Sequence, residues 1–425
     1  MPEHTTVRAM AGACLMAAIL AAPCIAASVP AAKPEDVGLS PARLERIHES
    51  VQRHIDAGEI CGAITLVARR GRIAHFEAHG LMDIESKKPM TKDAIVRLAS
   101  MTKPITGVAV LMLVEEGKIR LTDPVSRFLP EFKDMKVAMP RDSLSPRPAD
   151  GSGYYLVPAY REITVRDLLT HTAGLATRGG LGAKELPRLA PKAPDDTLAS
   201  YVPRLAALPL DFQPGTQWAY SGTAGPDVLG RIVEIVSGMT YDEFLRTRLF
   251  EPLGMKDTFF YPPDDRRSRL VTLYEKSPDG LKKAANQDGF CTRSYFGAGA
   301  GLVSTAEDYL QFAQMLLNGG TLNGKRFLSP RTVELMASNH VGDMFCGKLG
   351  RPERGIGYGL LVGNVLDANA AGLRVSNGSF GWDGAYGTQT WIDPKEQMVT
   401  IVLIQTQVFP VQRDFENAVM QAIIE

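Results

Sequence analysis

The chain has 425 residues, 45% of them apolar, enough to bury the core of one large domain or two ordinary ones. Lysine plus arginine and aspartate plus glutamate stand at 47 each. With neither a basic excess for nucleic acid or anionic lipid nor an acidic tail, the balance suits a small-molecule partner best.

Arg8, the apolar run Ala9–Ala22 and the small residues Ile25-Ala26-Ala27 read as an export segment. The run is shorter than a membrane-spanning helix needs and Pro23 ends it, so residues 1–27 are expected to be a cleaved signal peptide. The mature chain, 28–425, is then expected to be periplasmic or secreted, without stable membrane insertion. It keeps Cys61, Cys291 and Cys346, which allow either one disulfide and a free thiol or three unpaired thiols. No Cys-x-x-Cys pair occurs, and neither a metal nor an organic cofactor is expected.

Ser40-Pro41 opens a helix as cap and first residue, with Leu44, Ile47, Val51 and Ile55 on one face. Ala63–Val67 and Ile73–Ala78 read as strands about an Arg70-Gly71 turn. Helices are predicted at 102–116, 164–170, 227–237 and 305–318, the last with a capping box of Ser304 and Glu307. The Pro- and Gly-rich stretch Pro140–Pro158 reads as a long loop, a candidate wall of the site. Strands at Gly387–Ile392 and Met398–Gln405 precede a final helix with Phe415, Val419 and Ile423. The pattern is α/β: residues 28–100 and 330–425 build a sheet, and a mostly helical part, 101–329, is inserted between them.

Three short segments carry candidate chemistry. Ser100-Met101-Thr102-Lys103 is the chain's one S-x-x-K, at the mouth of a helix. Three-residue spacing puts hydroxyl and amine on one helical face, and the helix N-terminus aims backbone N–H groups at the serine. A lysine can activate a serine hydroxyl when its surroundings favour the neutral amine. Tyr220-Ser221-Gly222 follows a turn-rich segment, and Trp382-Asp383-Gly384-Ala385 is a glycine-rich turn beside a strand. Taken singly, each could equally be a packed aromatic or a tight strand turn. No G-x-S-x-G elbow exists.

In this order the three segments resemble the serine β-lactamase and penicillin-binding superfamily, closest to the class C β-lactamase-like branch that includes the family VIII carboxylesterases. The likeness runs from about Val37 to the C-terminus and takes in 119–124, 168–175 and 299–305. It implies that superfamily's fold, an antiparallel sheet flanked by helices, with Ser100 as the acylated nucleophile and Lys103 and Tyr220 as its proton-handling partners. The backbone N–H groups of Ser100 and Ala385 would form the oxyanion hole.

Two positions depart from β-lactamases: Gly222 replaces an asparagine, and Trp382 a lysine that helps hold the antibiotic's carboxylate. With Asp383 and Gly384, both are expected to face substrate. The departures point to a carboxylesterase of short-chain esters with weak promiscuous β-lactam hydrolysis. The alternatives are a class C-type β-lactamase, a peptidoglycan- or D-amino-acid-directed amidase or transpeptidase, and a non-catalytic binding relative. His171, in the 168–175 segment, is expected to be structural.

Overall fold

A computed structural model describes residues 29–141 and 153–425. The expected export segment and most of the Pro140–Pro158 stretch lie outside them. No described helix is long and apolar enough to cross a membrane.

The sheet has eight strands: β1 (Gly62–Arg69), β2 (Arg72–Asp83), β3 (Lys88–Pro89), β4 (Ile356–Tyr358), β5 (Gly363–Val365), β6 (Phe380–Asp383), β7 (Gln389–Asp393) and β8 (Met398–Leu403). Their order is β4-β5-β6-β7-β8-β1-β2-β3, every neighbouring pair antiparallel. The two ends of the chain meet at β1 and β8, where Ile64 pairs with Leu403 and Arg69 with Met398.

β1 is buried along its whole length because both faces of the sheet are covered. Ala63 and Val67 point to one side, where α1 (Pro41–Asp56) supplies Leu44, Ile47 and Val51 and the C-terminal helix α5 (Phe409–Met420) supplies Phe415 and Val419. Ile64, Leu66 and Ala68 point to the other side, into the core shared with α2 (Thr102–Glu115), α3 (Ala224–Ser237) and α4 (Ala306–Leu317). This alternation is the two-residue period of a strand. Ser40 caps α1 with its hydroxyl, as its sequence predicts. Ile423 falls beyond the end of α5 and bridges Leu39 instead.

Two local expectations are corrected. α4 is capped by Thr305, not Ser304: the Thr305 hydroxyl accepts from the Asp308 N–H, while Ser304 bonds the Thr258 hydroxyl. Asp308 faces inward, accepting from Asp257 N–H and the Thr258 hydroxyl, and burial pushes its carboxyl up to about 6. The second correction concerns Pro140–Pro158, whose ends are not loop. Tyr154–Pro158 pairs in a hairpin with Lys136–Pro140. Prolines at both strand ends hide this pairing in the sequence. The hairpin borders a cavity of about 630 Å³ lined by Met135, Arg141, Tyr155, Leu189 and Leu208, and none of Ser100, Lys103 and Tyr220 lines it.

Cys61, Cys291 and Cys346 are all unpaired, and burial raises the thiols of Cys61 and Cys291 to about 11 and about 12, which keeps them protonated and unreactive.

Candidate active site

α2 is buried on every side from Thr102 to Leu113, so the polar atoms of its first turn meet protein rather than bulk water. Ser100 lies in the short turn Ala99–Met101 that feeds this helix. Ala99 has φ of 47°, a left-handed conformation that costs a β-carbon-bearing residue of order 1 kcal/mol or more. The turn is held from outside: Leu98 N–H donates to Leu302 O (2.9 Å), and the Thr388 hydroxyl donates to Leu98 O (3.0 Å).

Lys103 Nζ is wholly buried and lies 3.1 Å from Ser100 Oγ. It also donates to Gly222 O (2.6 Å) and Gly299 O (2.7 Å). The two carbonyls consume two of the nitrogen's protons. Its third direction faces Ser100 Oγ, where an ammonium presents a proton and a neutral amine receives one. The Tyr220 hydroxyl donates to the same Oγ at 2.7 Å, and Lys103 Nζ sits 4.9 Å from the Tyr220 ring centre. The structure thus brings Ser100, Lys103 and Tyr220 together around one oxygen.

Two further segments that carry the family resemblance, 168–175 and 299–305, serve as supports. The 168–175 segment is bonded to the loop that bears Tyr220: Ala219 N–H donates to His171 O and Gly215 N–H to Thr172 O. Gly299, whose carbonyl holds Lys103, donates its own N–H to the buried carboxylate of Asp227, which also accepts from the Tyr295 hydroxyl. Burial raises the Asp227 pKa, against the pull of those two donors.

Gly222 contributes its backbone carbonyl, an interaction no side-chain motif announces. A β-carbon there would meet only the Tyr220 ring, at 4.0 Å. Gly384 has no such room, since a β-carbon would lie 2.2 Å from Leu98 O. Its lack of a side chain lets the β6–β7 turn close onto Leu98 at the head of the serine turn, and Ala385, next in the same turn, is exposed.

Trp382 differs from expectation. It is only 3% exposed and offers no open face to a substrate. Its ring packs edge-on to Tyr358 (5.1 Å between centroids) and beside Tyr220 (5.9 Å), and its indole nitrogen points at the Tyr220 hydroxyl at 3.4 Å. The indole therefore braces the tyrosine. Gly363 makes space for it, since a β-carbon there would come within 3.2 Å of the ring. Asp383 pairs with Arg351 at 2.6 Å, and the guanidinium stands 5.5 Å from the Trp382 ring. Arg351 went unnoticed in the sequence because it comes from a loop with no motif of its own.

His171 packs against Tyr220, Trp218 and Tyr358, and neither of its ring nitrogens has a hydrogen-bond partner. Burial, and secondarily the charge of Lys103, hold its pKa well below the ordinary 6.5. In the unfolded chain it takes a proton below about pH 6.5, which the native state refuses. Stability is therefore full above that pH and falls as pH drops, by up to about 1.4 kcal/mol per unit from this group. His171→Asn keeps a side chain that tolerates the φ of 57°. Urea unfolding at pH 7 and pH 5 should show a smaller stability difference for this variant than for the wild type.

A serine at the mouth of a buried helix, with a lysine one turn on and a tyrosine from a separate loop on the same oxygen, is the constellation of an S-x-x-K serine hydrolase. The Beta-lactamase family model matches residues 47–423, and the chain belongs to that family. It is 33% identical over 389 residues to lovastatin esterase of Penicillium rubens, covering 85% of this chain and 93% of that one. It is 31% identical over 394 residues to Esterase EstB of Burkholderia gladioli, covering 86% and 90%. Among solved structures, EstCE1, described as a hydrolase with promiscuous acyltransferase activity, superposes with a TM-score of 0.73 at 30% identity over 89% of this chain and 99% of that one. The protein is a serine hydrolase of the beta-lactamase family, in the branch of the family VIII carboxylesterases.

Proposed function

We propose that the protein is an exported carboxylesterase that hydrolyses short-chain carboxylic esters through an acyl-enzyme on Ser100. The observation that carries this reading is the Ser100 hydroxyl held between Lys103 Nζ and the Tyr220 hydroxyl, beside a third motif whose Asp383 already neutralises Arg351. The names of the esterase relatives support it.

In the proposed cycle, the Ser100 proton passes to the Lys103 and Tyr220 pair as Oγ attacks the ester carbonyl. The N–H groups of Ser100 and Ala385 receive the developing oxyanion. Tyr220, poised 2.7 Å from Oγ, returns a proton to the departing alcohol, and the same pair then draws a proton from the water that cleaves the acyl-enzyme. The two groups share one hydrogen-bond cluster and act as a unit, so base and acid are roles of the pair.

The preference for esters follows from Arg351. A substrate carboxylate reaching for that guanidinium would have to displace Asp383 from a 2.6 Å ion pair, whereas an uncharged ester has no such competitor. Weak hydrolysis of β-lactams fits the same arrangement. Asp383→Asn should free Arg351 and improve kcat/KM on a carboxylate-bearing cephalosporin by about tenfold or more, the worth of one charge-assisted hydrogen bond. Neutral short-chain esters should change much less. Parallel steady-state kinetics on both substrates check this, and an equal change on both would remove Asp383 from the specificity argument.

A further inference from the structure

β2 carries His75, Glu77 and His79 at two-residue spacing, so all three lie on one face of the strand. On a helix, the four-residue spacing of the two histidines would align them. Here, on a strand, it places both toward α1, on the face of the sheet opposite α2. Thr65 of β1, paired directly with Glu77, extends its hydroxyl between the two rings, 2.8 Å from His75 Nε2 and 2.9 Å from His79 Nε2. One hydroxyl has one proton, so it donates to one imidazole and accepts from the other.

The side chain of His79 is completely buried, yet its Nδ1 has no hydrogen-bond partner. An orphaned buried polar atom costs about 1–3 kcal/mol and calls for a reason. Nδ1 lies 3.6 Å from Glu77 Oε1, and that oxygen lies 2.6 Å from Nδ1 of His48, on α1. One donor atom from each of these three residues falls within 4.8 Å of the others.

We propose that His48 Nδ1, Glu77 Oε1 and His79 Nδ1 bind a zinc ion that ties α1 to β2. Two imidazoles and a carboxylate form a donor set that zinc accepts, with water as the fourth ligand. Zinc bonds of about 2.0–2.2 Å require the donors to stand about 3.4 Å apart. The 3.6 Å pair already fits, so His48 Nδ1 must move out from its 2.6 Å contact with Glu77 and towards His79 Nδ1, which lies within 4.8 Å. His48 can supply that movement, because its side chain is 48% exposed. In the metal-free state His48 Nδ1 donates a proton to Glu77, and the ion replaces that proton. Ligation at His79 Nδ1 requires the proton of that ring on Nε2, donated to Thr65, whose hydroxyl then donates to His75. Thr65 thereby fixes the tautomer and plane of the ligating ring, as the outer partners of metal-bound histidines do. Glu77 and His79 stand two residues apart in the sequence, but the third ligand, His48, lies 29 positions before Glu77 on another element, so the sequence shows no complete ligand motif.

The test uses the mature protein with zinc chloride as the probe, read by calorimetric titration and thermal melting. Zinc should bind and raise Tm by about 2 °C or more, reversibly on adding EDTA. His48→Ala alters a largely exposed side chain and leaves the fold intact; it should weaken zinc binding at least tenfold and abolish the rise in Tm. Thr65→Val should weaken binding by about tenfold or more through the lost tautomer control. Absence of zinc binding in the wild type overturns the proposal. So does an undiminished response in both His48→Ala and Glu77→Gln, which would put the metal elsewhere. Neither result bears on the esterase reading, since no readout involves turnover.

Discussion

Ser100→Ala and Lys103→Ala should each lower kcat on a short-chain ester by about three orders of magnitude or more, and the double variant should be hardly slower than either alone. Ser100→Ala removes the atom to be acylated. Lys103→Ala removes the buried nitrogen that bridges Ser100 Oγ to the carbonyls of Gly222 and Gly299. Once either is gone, the other has no chemical step left to assist. Additive losses would mean that the two act in separate steps. The Lys103 variant also strands two buried carbonyl oxygens, so its Tm should fall while that of Ser100→Ala should not. Comparing Tm with kcat for both separates lost chemistry from lost structure.

Tyr220→Phe should reduce kcat by about two to four orders of magnitude, the usual worth of a positioned acid or base, with little change in Tm. The ring stays where it is, wedged 4.8 Å from His171 and 5.9 Å from Trp382 between ring centres; what is lost is the hydroxyl, with its 2.7 Å bond to Ser100 and its long 3.4 Å contact from the Trp382 indole nitrogen. Stopped-flow kinetics of an activated ester should show both acylation and deacylation slowed, because the same hydroxyl serves both halves of the cycle. A variant slowed only in deacylation would confine Tyr220 to activating water.

What the sequence made legible follows from how each feature is encoded. The helix carrying Ser100 and Lys103, the strands at the two ends and the apolar face of α1 all have a side-chain period, and the structure has them within a few residues. Tyr220 could be aligned only through its motif, because 120 residues separate it from Ser100. Interactions made by the backbone left no trace: the carbonyls of Gly222 and Gly299 that hold Lys103, and the left-handed Ala99 ahead of the nucleophile, cannot be read from side-chain identity. Trp382 was legible as a departure from the lysine of β-lactamases, but its burial depended on Tyr358 and Phe345, which arrive from a region without a motif. The capping error at Ser304 has a similar cause. Adjacent Ser304 and Thr305 both satisfy the cap pattern, and the buried contact of Asp308 with Thr258 decides between them.

The most direct test of the account is where the enzyme becomes covalently modified. Treatment with an ester-like phosphonate, followed by intact-mass and peptide analysis, should give a single adduct on the peptide that contains Ser100, and Ser100→Ala should give none. Labelling of another serine, such as Ser221, or full turnover of esters by folded Ser100→Ala protein would contradict it.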